Sequence, residues 1–328
     1  MRVWFNHWFS TAYHFIDMLK EKGYYVIASN ERETSVYQTN ANEFYLEPIY
    51  DKDLYLDFCI DFCKEHKIDV FFPKKGMDII IKNLHKFGNV KVICETDLNK
   101  YELLQDKVKT GEWFTKKKIC KVPEMHLCTN VYEFKFWYQR MKTEYEKLCI
   151  KYNQDEGGLS YKLITDMNPS ISKISYTSSS SYSYEYICKC LETVESFKPL
   201  IIMPYLSGNE VSIDCLDIGD NLIAIPRFKL SNRVTKLSMQ ENLIQISNKF
   251  QQEMNLVGPY NIQFRYHENE LYLLEVNTRL SGGSWKAKFM GIEFPVLCVD
   301  KFVGKKIEKP IPIKKEMSIS NIESAVIL

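Results

Sequence analysis

The stretch from Tyr260 to Arg279 constrains this chain more than any other. Tyr260-Asn-Ile-Gln-Phe-Arg-Tyr266 and Leu271-Tyr-Leu-Leu-Glu-Val-Asn-Thr-Arg279 alternate apolar and polar residues, and Glu268-Asn269-Glu270 joins them. That is the pattern of two paired strands with one covered face. Glu275, Asn277 and Arg279 fall on one side of the second strand. Gln263 joins that side if the loop spans three residues or an equivalent bulge shifts the pairing. A ribbon that gathers amide and carboxylate oxygens offers hard ligands suited to Mg²⁺ or Mn²⁺. The alternative is a polar outer face on an edge hairpin. Ser281-Gly282-Gly283 follows at once, and its glycines let backbone approach a bound anion closely.

The first hundred residues follow another rhythm. Arg2–His7 reads as a strand, and Ser10 offers an N-cap to a helix with Ala12, Phe15, Ile16 and Leu19 on one face and Gly23 at its end. A strand at Tyr24–Ser29 comes next. Leu54, Phe58 and Phe62 then mark a helix ahead of a strand at Ile68–Phe72, and a further helical stretch leads to Val90–Cys94. Strand and helix in alternation predict a parallel α/β sheet. The first turn, Asn6–Ser10, has no glycine, so the fingerprint of a nicotinamide dehydrogenase is absent.

Between these regions, Asp106 is placed to cap a helix that begins at Lys107. Leu148–Tyr152 is a strand carrying Lys151, and it runs into Gly157, Gly158 and Ser160. A lysine beside a glycine-rich loop can present a positive charge and backbone N–H groups to phosphates. A solvated lysine at a hairpin turn is the plainer alternative. The serine- and tyrosine-rich tract Ser175–Tyr184 reads as a surface loop or hinge. Leu200–Leu206 is a buried strand. In Glu210–Cys215, Val211, Ile213 and Cys215 share one face, while Glu210, Ser212 and Asp214 share the other. Asp214, Arg227 and Arg233 are candidates to hold a substrate amine and carboxylate, against the alternative of solvated surface charge.

Composition narrows the function classes. The chain of 328 residues carries 43 Lys and Arg against 42 Asp and Glu, a net charge of +1. It therefore has no global field for nucleic acid or an anionic membrane. No apolar run reaches the length of a membrane span, and the N-terminus has no long apolar core of a secretory signal, so a cytoplasmic, soluble protein is expected. The ten cysteines show neither Cys-x2-Cys nor zinc-finger spacing and read as reduced core residues.

In this order, these segments resemble the ATP-grasp superfamily, in particular the branch similar to carbamoyl-phosphate-synthase large subunits and carboxylate–amine ligases. The match covers most of the chain. Its specific parts are IIMPYLSGNEVSID at 201–214 and NIQFRYHENELYLLEVNTRLSGG at 261–283. The resemblance implies a parallel α/β preamble at 1–97, then an ATP-grasp fold of two α+β subdomains with ATP between them. The first subdomain, 98–198, would carry the Gly-rich lid, and the second, 199–328, the metal site. By position, Lys107 and Lys151 look like the lysines that hold ATP phosphates, and Gly157, Gly158 and Ser160 like the closing loop. Met203, Tyr205 and Leu206 match the adenine segment, and Glu210 a position near the ribose. Gln263, Glu275 and Asn277 match the metal positions. Arg279 matches the arginine that stabilises the transferring phosphoryl group, while Ser281 and Gly282 lie beside the substrate.

Thr278 stands where proline is usual, and Met203-Pro204 where an acidic residue is common. The implied activity uses ATP with Mg²⁺ or Mn²⁺ to turn a carboxylate into an acyl phosphate and join it to an amine, releasing ADP and phosphate. A bicarbonate-using carboxylase or carbamoyl-phosphate-type enzyme, and a catalytically silent ATP-binding module, are the alternatives. The implied partners are a small-molecule carboxylate and amine, without nucleic acid or membrane. A homodimer stays open.

Overall fold

The computed structural model describes residues 1–49, 51–155, 158, 160–165, 180–322 and 325–328. Gly157 and positions 175–179 of the serine-rich tract lie outside the described residues. The chain forms two compact units. The first comprises Met1–Glu102, Asn209–Gln263 and Val276–Leu328; the second comprises Leu103–Gly208 and Phe264–Glu275.

The first unit begins with five parallel strands: β1 (Arg2–Asn6), β2 (Tyr25–Asn30), β3 (Glu43–Leu46), β4 (Val70–Phe72) and β5 (Lys91–Val92), in the order β3-β2-β1-β4-β5. The expected parallel α/β region is therefore present. The central strands β1, β2 and β4 are buried on both faces, as parallel strands covered by crossover helices must be, while β3 at the edge is partly exposed. Val3 and Phe5 face one core with Phe15 and Ile16 of helix α1 (Ala12–Glu21). Trp4 faces the other, between Phe62 of α2 (Lys52–Glu65) and Phe71, with ring centroids 4.4 and 4.1 Å away. Its indole N–H donates to Ser29 Oγ at 2.8 Å, so burial leaves no polar atom unpaired. Helix α3 (Met77–Lys82) completes this layer.

Two details differ from expectation. Helix α1 starts after Thr11, whose side chain makes no capping bond. Backbone turns, Ala12 N–H to Phe9 O and Tyr13 N–H to Ser10 O, take over that role from Ser10. In α2, Leu54 is 52% exposed, and the buried face runs through Tyr55, Cys59 and Cys63 beside Phe62.

Helix α4 (Leu98–Gln105) leads to the second unit, where helices α5 (Lys107–Lys116), α6 (Val131–Lys142) and α7 (Tyr184–Leu191) accompany a second sheet. Strands β6 (His126–Cys128), β7 (Leu148–Tyr152), β8 (Lys162–Thr165), β9 (Ser181–Ser183) and β10 (Leu200–Pro204) lie in the order β6-β10-β7-β8-β9. β7 and β10 are antiparallel, with Cys149 opposite Met203 and Lys151 opposite Ile201. Leu148, Ile150 and Ile202 pack with Phe134 and Met141 of α6. Cys149, Ile201 and Met203 line the other face with Val108, Leu163, Tyr272 and Leu274. Alternation puts Lys151 on this second face.

A third sheet comprises β11 (Glu210–Asp217), β12 (Leu222–Lys229), β13 (Val234–Ser238), β14 (Tyr260–His267), β15 (Glu270–Asn277) and β16 (Glu316–Ser320), in the order β15-β14-β11-β12-β13-β16, and of these strands the residues from Phe264 to Glu275 belong to the second unit. Helices α8 (Glu241–Met254) and α9 (Phe294–Phe302) complete the first unit. Ile225, Leu280 and Cys298 share one core with Val3 and Phe5. The β14–β15 loop is the two residues Glu268 and Asn269, at φ 49° and 64°, not three. Two positive φ values fit a tight hairpin turn, so the three-residue loop that would place Gln263 opposite Glu275 does not form.

All ten cysteines are free. Burial pushes up the thiols that lie in the core, Cys63 to about 12, which leaves those protonated and inert at neutral pH. Among the described residues, no helix is long and apolar enough to cross a membrane. Trp4→Ala should cost about 3–5 kcal/mol of stability, read from denaturant unfolding, because it removes a fully buried ring from a three-ring stack. A loss below about 1 kcal/mol would contradict this account of the core.

Candidate functional site

In the second unit, Asp106 caps α5 by accepting the backbone N–H of Lys109 at 3.0 Å. The cap fixes the start of the helix, and with it Lys107 at the first helical position. The Lys107 ammonium is buried. It lies 3.4 Å from Glu275 Oε2 and donates to the backbone carbonyls of Asn153 and Asp155 at 3.2 and 3.1 Å. Its side chain is only 5% exposed and that of Glu275 14%. Lys151 comes from the adjoining strand and donates to Leu274 O at 3.4 Å. Burial lowers its pKa and the Lys107 charge adds to this, while Glu275 opposes both. One carboxylate thus serves two ammonium groups held by separate elements.

Beside these charges lies an apolar wall: Cys149, Ile201, Met203 and Leu206, with Val108, Tyr161 and Leu274 packed against it. Tyr205 holds the strand end by donating its backbone N–H to Lys147 O at 2.9 Å. The loop after β7 is tied down at Ser160, which accepts the Tyr152 backbone N–H at 2.9 Å and gives its own N–H to Asp155 Oδ2 at 3.0 Å. Gly158 sits at φ 67° with open space around it, a conformation that favours glycine.

The first unit holds another polar cluster. Asp214, in the middle of β11, is 2% exposed and far from solvated. It is paired with Arg227 of β12 through Nε and Nη2, and it accepts from Ser281 Oγ at 2.7 Å and Asn261 Nδ2 at 2.9 Å. Arg227 Nη2 also donates to Ser281 at 2.7 Å. The guanidinium lies so close to Gly283 that a Cβ there would collide with it. This network edges a cavity of about 250 Å³, lined among others by Glu210, Gln263, Ser281, Gly282 and Lys286. Arg279 lies over the Phe9 ring, 4.8 Å from its centroid, and its Nη2 reaches Asn277 Oδ1 at 3.5 Å. Arg233 is exposed in the turn between β12 and β13 and is not among the residues lining the cavity.

Compared with known proteins, the chain is 20% identical over 335 residues to the large chain of carbamoyl phosphate synthase from Clostridium acetobutylicum, covering 95% of this chain and 29% of that one. It spans less than a third of the length of the curated relatives it matches. Residues 196–325 match a family described as ATP-grasp in the biosynthetic pathway with Ter operon. The solved structure of N5-carboxyaminoimidazole synthetase from Staphylococcus aureus, complexed with ADP, superposes with a TM-score of 0.72 at 15% identity, covering 98% of this chain and 82% of that one. The chain has the ATP-grasp fold. L-amino acid ligase from Bacillus licheniformis shares it, with a TM-score of 0.65 at 11% identity over 92% of this chain and 74% of that one.

On this fold, Lys107, Lys151 and Glu275 converge inside the second unit, and Met203 and Leu206 line its apolar wall. In the first unit, Glu210, Gln263, Arg227, Ser281 and Gly282 surround one cavity. Lys286 was not singled out in the sequence. It is 7% exposed and donates to Thr235 Oγ1 at 2.7 Å. The one available signal was its place between Trp285 and Ala287 in a run that continues to Phe289.

Burial first, and then the Arg227 charge, depress the Lys286 pKa to about 8, with Asp214 opposing. Between pH 8 and the ordinary lysine value the folded chain binds fewer protons than the unfolded one, so stability from this group rises with pH across that window. Below pH 8 the buried charge is a standing cost of up to about 3 kcal/mol. Lys286→Met should therefore raise the melting temperature at pH 7, with the gap to wild type closing by pH 10. A destabilised variant, or a gap independent of pH, would contradict this.

Proposed function

We propose that this chain is an ATP-dependent ligase that activates a carboxylate as an acyl phosphate and passes the acyl group to an amine. The observation that carries the reading is the convergence of Lys107 and Lys151 on Glu275 beside the wall of Met203, Cys149 and Leu206. Two ammonium groups in a poorly solvated setting suit the phosphates of ATP, and an apolar wall suits a purine. Lys107 now shares its charge among Glu275 and two carbonyls; phosphate oxygens would be stronger partners for it.

The donors carried over by resemblance, Gln263, Glu275 and Asn277, supply only oxygen, which fits Mg²⁺. A metal held by Glu275 would offset phosphate charge and stabilise the charge that develops during transfer. Lys107 and Lys151 would orient the phosphates, and Arg279 would offset charge on the group in transit. In the reaction, a substrate carboxylate oxygen attacks the γ-phosphorus and ADP leaves. The amine nitrogen then attacks the acyl carbon, phosphate leaves with the bonding electrons, and the amine loses a proton. Gly158 and Ser160 belong to the loop assigned to exclude water while the acyl phosphate waits.

A carboxylase reading, with bicarbonate as the acid, shares every step up to the phosphorylated intermediate. The cavity of about 250 Å³ favours a larger acid, since it has room for roughly eight waters. A silent ATP-binding module would need the two lysines but not the oxygen donors Gln263, Glu275 and Asn277.

Glu275→Gln should leave the fold intact and reduce ADP formation from ATP, with a panel of acids and amines, by at least about a hundredfold, because it removes the one anion between two lysines. The check is coupled ADP release alongside circular dichroism. ADP formation unchanged in the folded variant would overturn the assignment.

A further inference from the structure

The cavity of the first unit has an imbalance of charge that points to what it holds. Arg227 Nε and Nη2 are committed to Asp214, and Nη2 also to Ser281; these bonds do not use Nη1, and the guanidinium lines the cavity. Lys286 enters from the segment after Gly283. Its hydrogen-bond partner is the neutral hydroxyl of Thr235, and no carboxylate lies within 4.0 Å of its ammonium among the described residues. Lys229 adds a third positive charge to the lining, against the single carboxylate of Glu210. Asp214 offsets only one of these charges, and its oxygens are already taken by Arg227, Ser281 and Asn261.

A buried ammonium without a counter-ion is costly, and a protein gains nothing in stability from keeping one. The cost is recovered when an anion enters, because the same low dielectric that penalises the lone charge strengthens its pairing. We infer that this cavity binds the carboxylate of a small organic acid, held between Lys286 Nζ and Arg227 Nη1, and that Lys286 sets the specificity of the site. Thr235 aims the ammonium, and the Gly283 backbone, which has no side chain to displace the guanidinium, fixes the arginine. The inference rests on the ligase reading only in making this acid a substrate; binding itself does not require turnover.

The test is isothermal titration calorimetry of the full chain without nucleotide. The probes are acetate, succinate, glutarate, L-glutamate and inorganic phosphate, titrated into wild type, Lys286→Met and Lys286→Arg. At least one acid should bind wild type more tightly than inorganic phosphate does. That binding should weaken at least about tenfold in Lys286→Met and recover in part in Lys286→Arg. Lys286→Met should still bind an ATP analogue as wild type does. Equal binding of the acid by wild type and Lys286→Met, no acid bound at 10 mM or so, or a preference for phosphate would each overturn the proposal. Failure of wild type to bind the ATP analogue would instead remove the ligase reading and leave the acid site to be judged on its own titration.

Discussion

The Lys107 ammonium lies 3.4 Å from the Glu275 carboxylate with almost no access to water, and the polar centre of the second unit depends on that pair. A buried ion pair adds little net stability, since desolvation offsets most of the attraction. Losing one partner is far worse, because the other charge is then stranded. Here the arrangement is tighter still: Lys151 shares the same carboxylate, and its pKa is lowered. Such a cluster is poised to exchange partners. Anionic phosphates can take the two lysines while a cation takes the carboxylate, with no side chain left unpaired.

The first unit repeats the principle with a different balance. Asp214 and Arg227 satisfy each other at the base of a cavity, and Lys286 has only a hydroxyl for company. In one unit a carboxylate pairs with the buried ammonium; in the other a neutral hydroxyl does. Both are places where stability is given up, and sites of that kind are where a fold is expected to depart from its local rules. The parallel sheet supports this indirectly: Val3 and Phe5 share a core with Ile225 and Leu280, which fixes β12 and the segment leading to Ser281.

Much of the scaffold was legible in the sequence because local chemistry decided it. Asp106 has a short acceptor just ahead of a helix and caps it; the alternation in Leu148–Tyr152 sets the face on which Lys151 stands; the parallel strands read as apolar runs broken by amphipathic helices. What could not be read was decided by tertiary contact. Ser10 is a good capping residue, yet backbone turns at Phe9 and Ser10 made its side chain unnecessary. Leu54 keeps the helical period but points outward, since Tyr55 and Cys59 meet the sheet first. The pairing register hung on one loop residue, and positive φ at Glu268 and Asn269 removed it. Lys286 sits in a stretch with no motif, and only the folded chain shows that it is buried beside a cavity. Nothing local decided between a substrate site and solvated charge for Asp214 and Arg227, because the partners that bury them, Ser281 and Gly283, lie more than fifty residues away in the chain.

The most direct measurement is a crystal structure of the full chain with Mg²⁺ and a non-hydrolysable ATP analogue. The account predicts that the Lys107 and Lys151 ammonium groups lie within hydrogen-bond reach of the analogue's phosphate oxygens, that Glu275 has moved from Lys107 to the metal, and that the purine rests against Met203 and Leu206. An analogue bound elsewhere, with the Lys107–Glu275 pair intact, would contradict it.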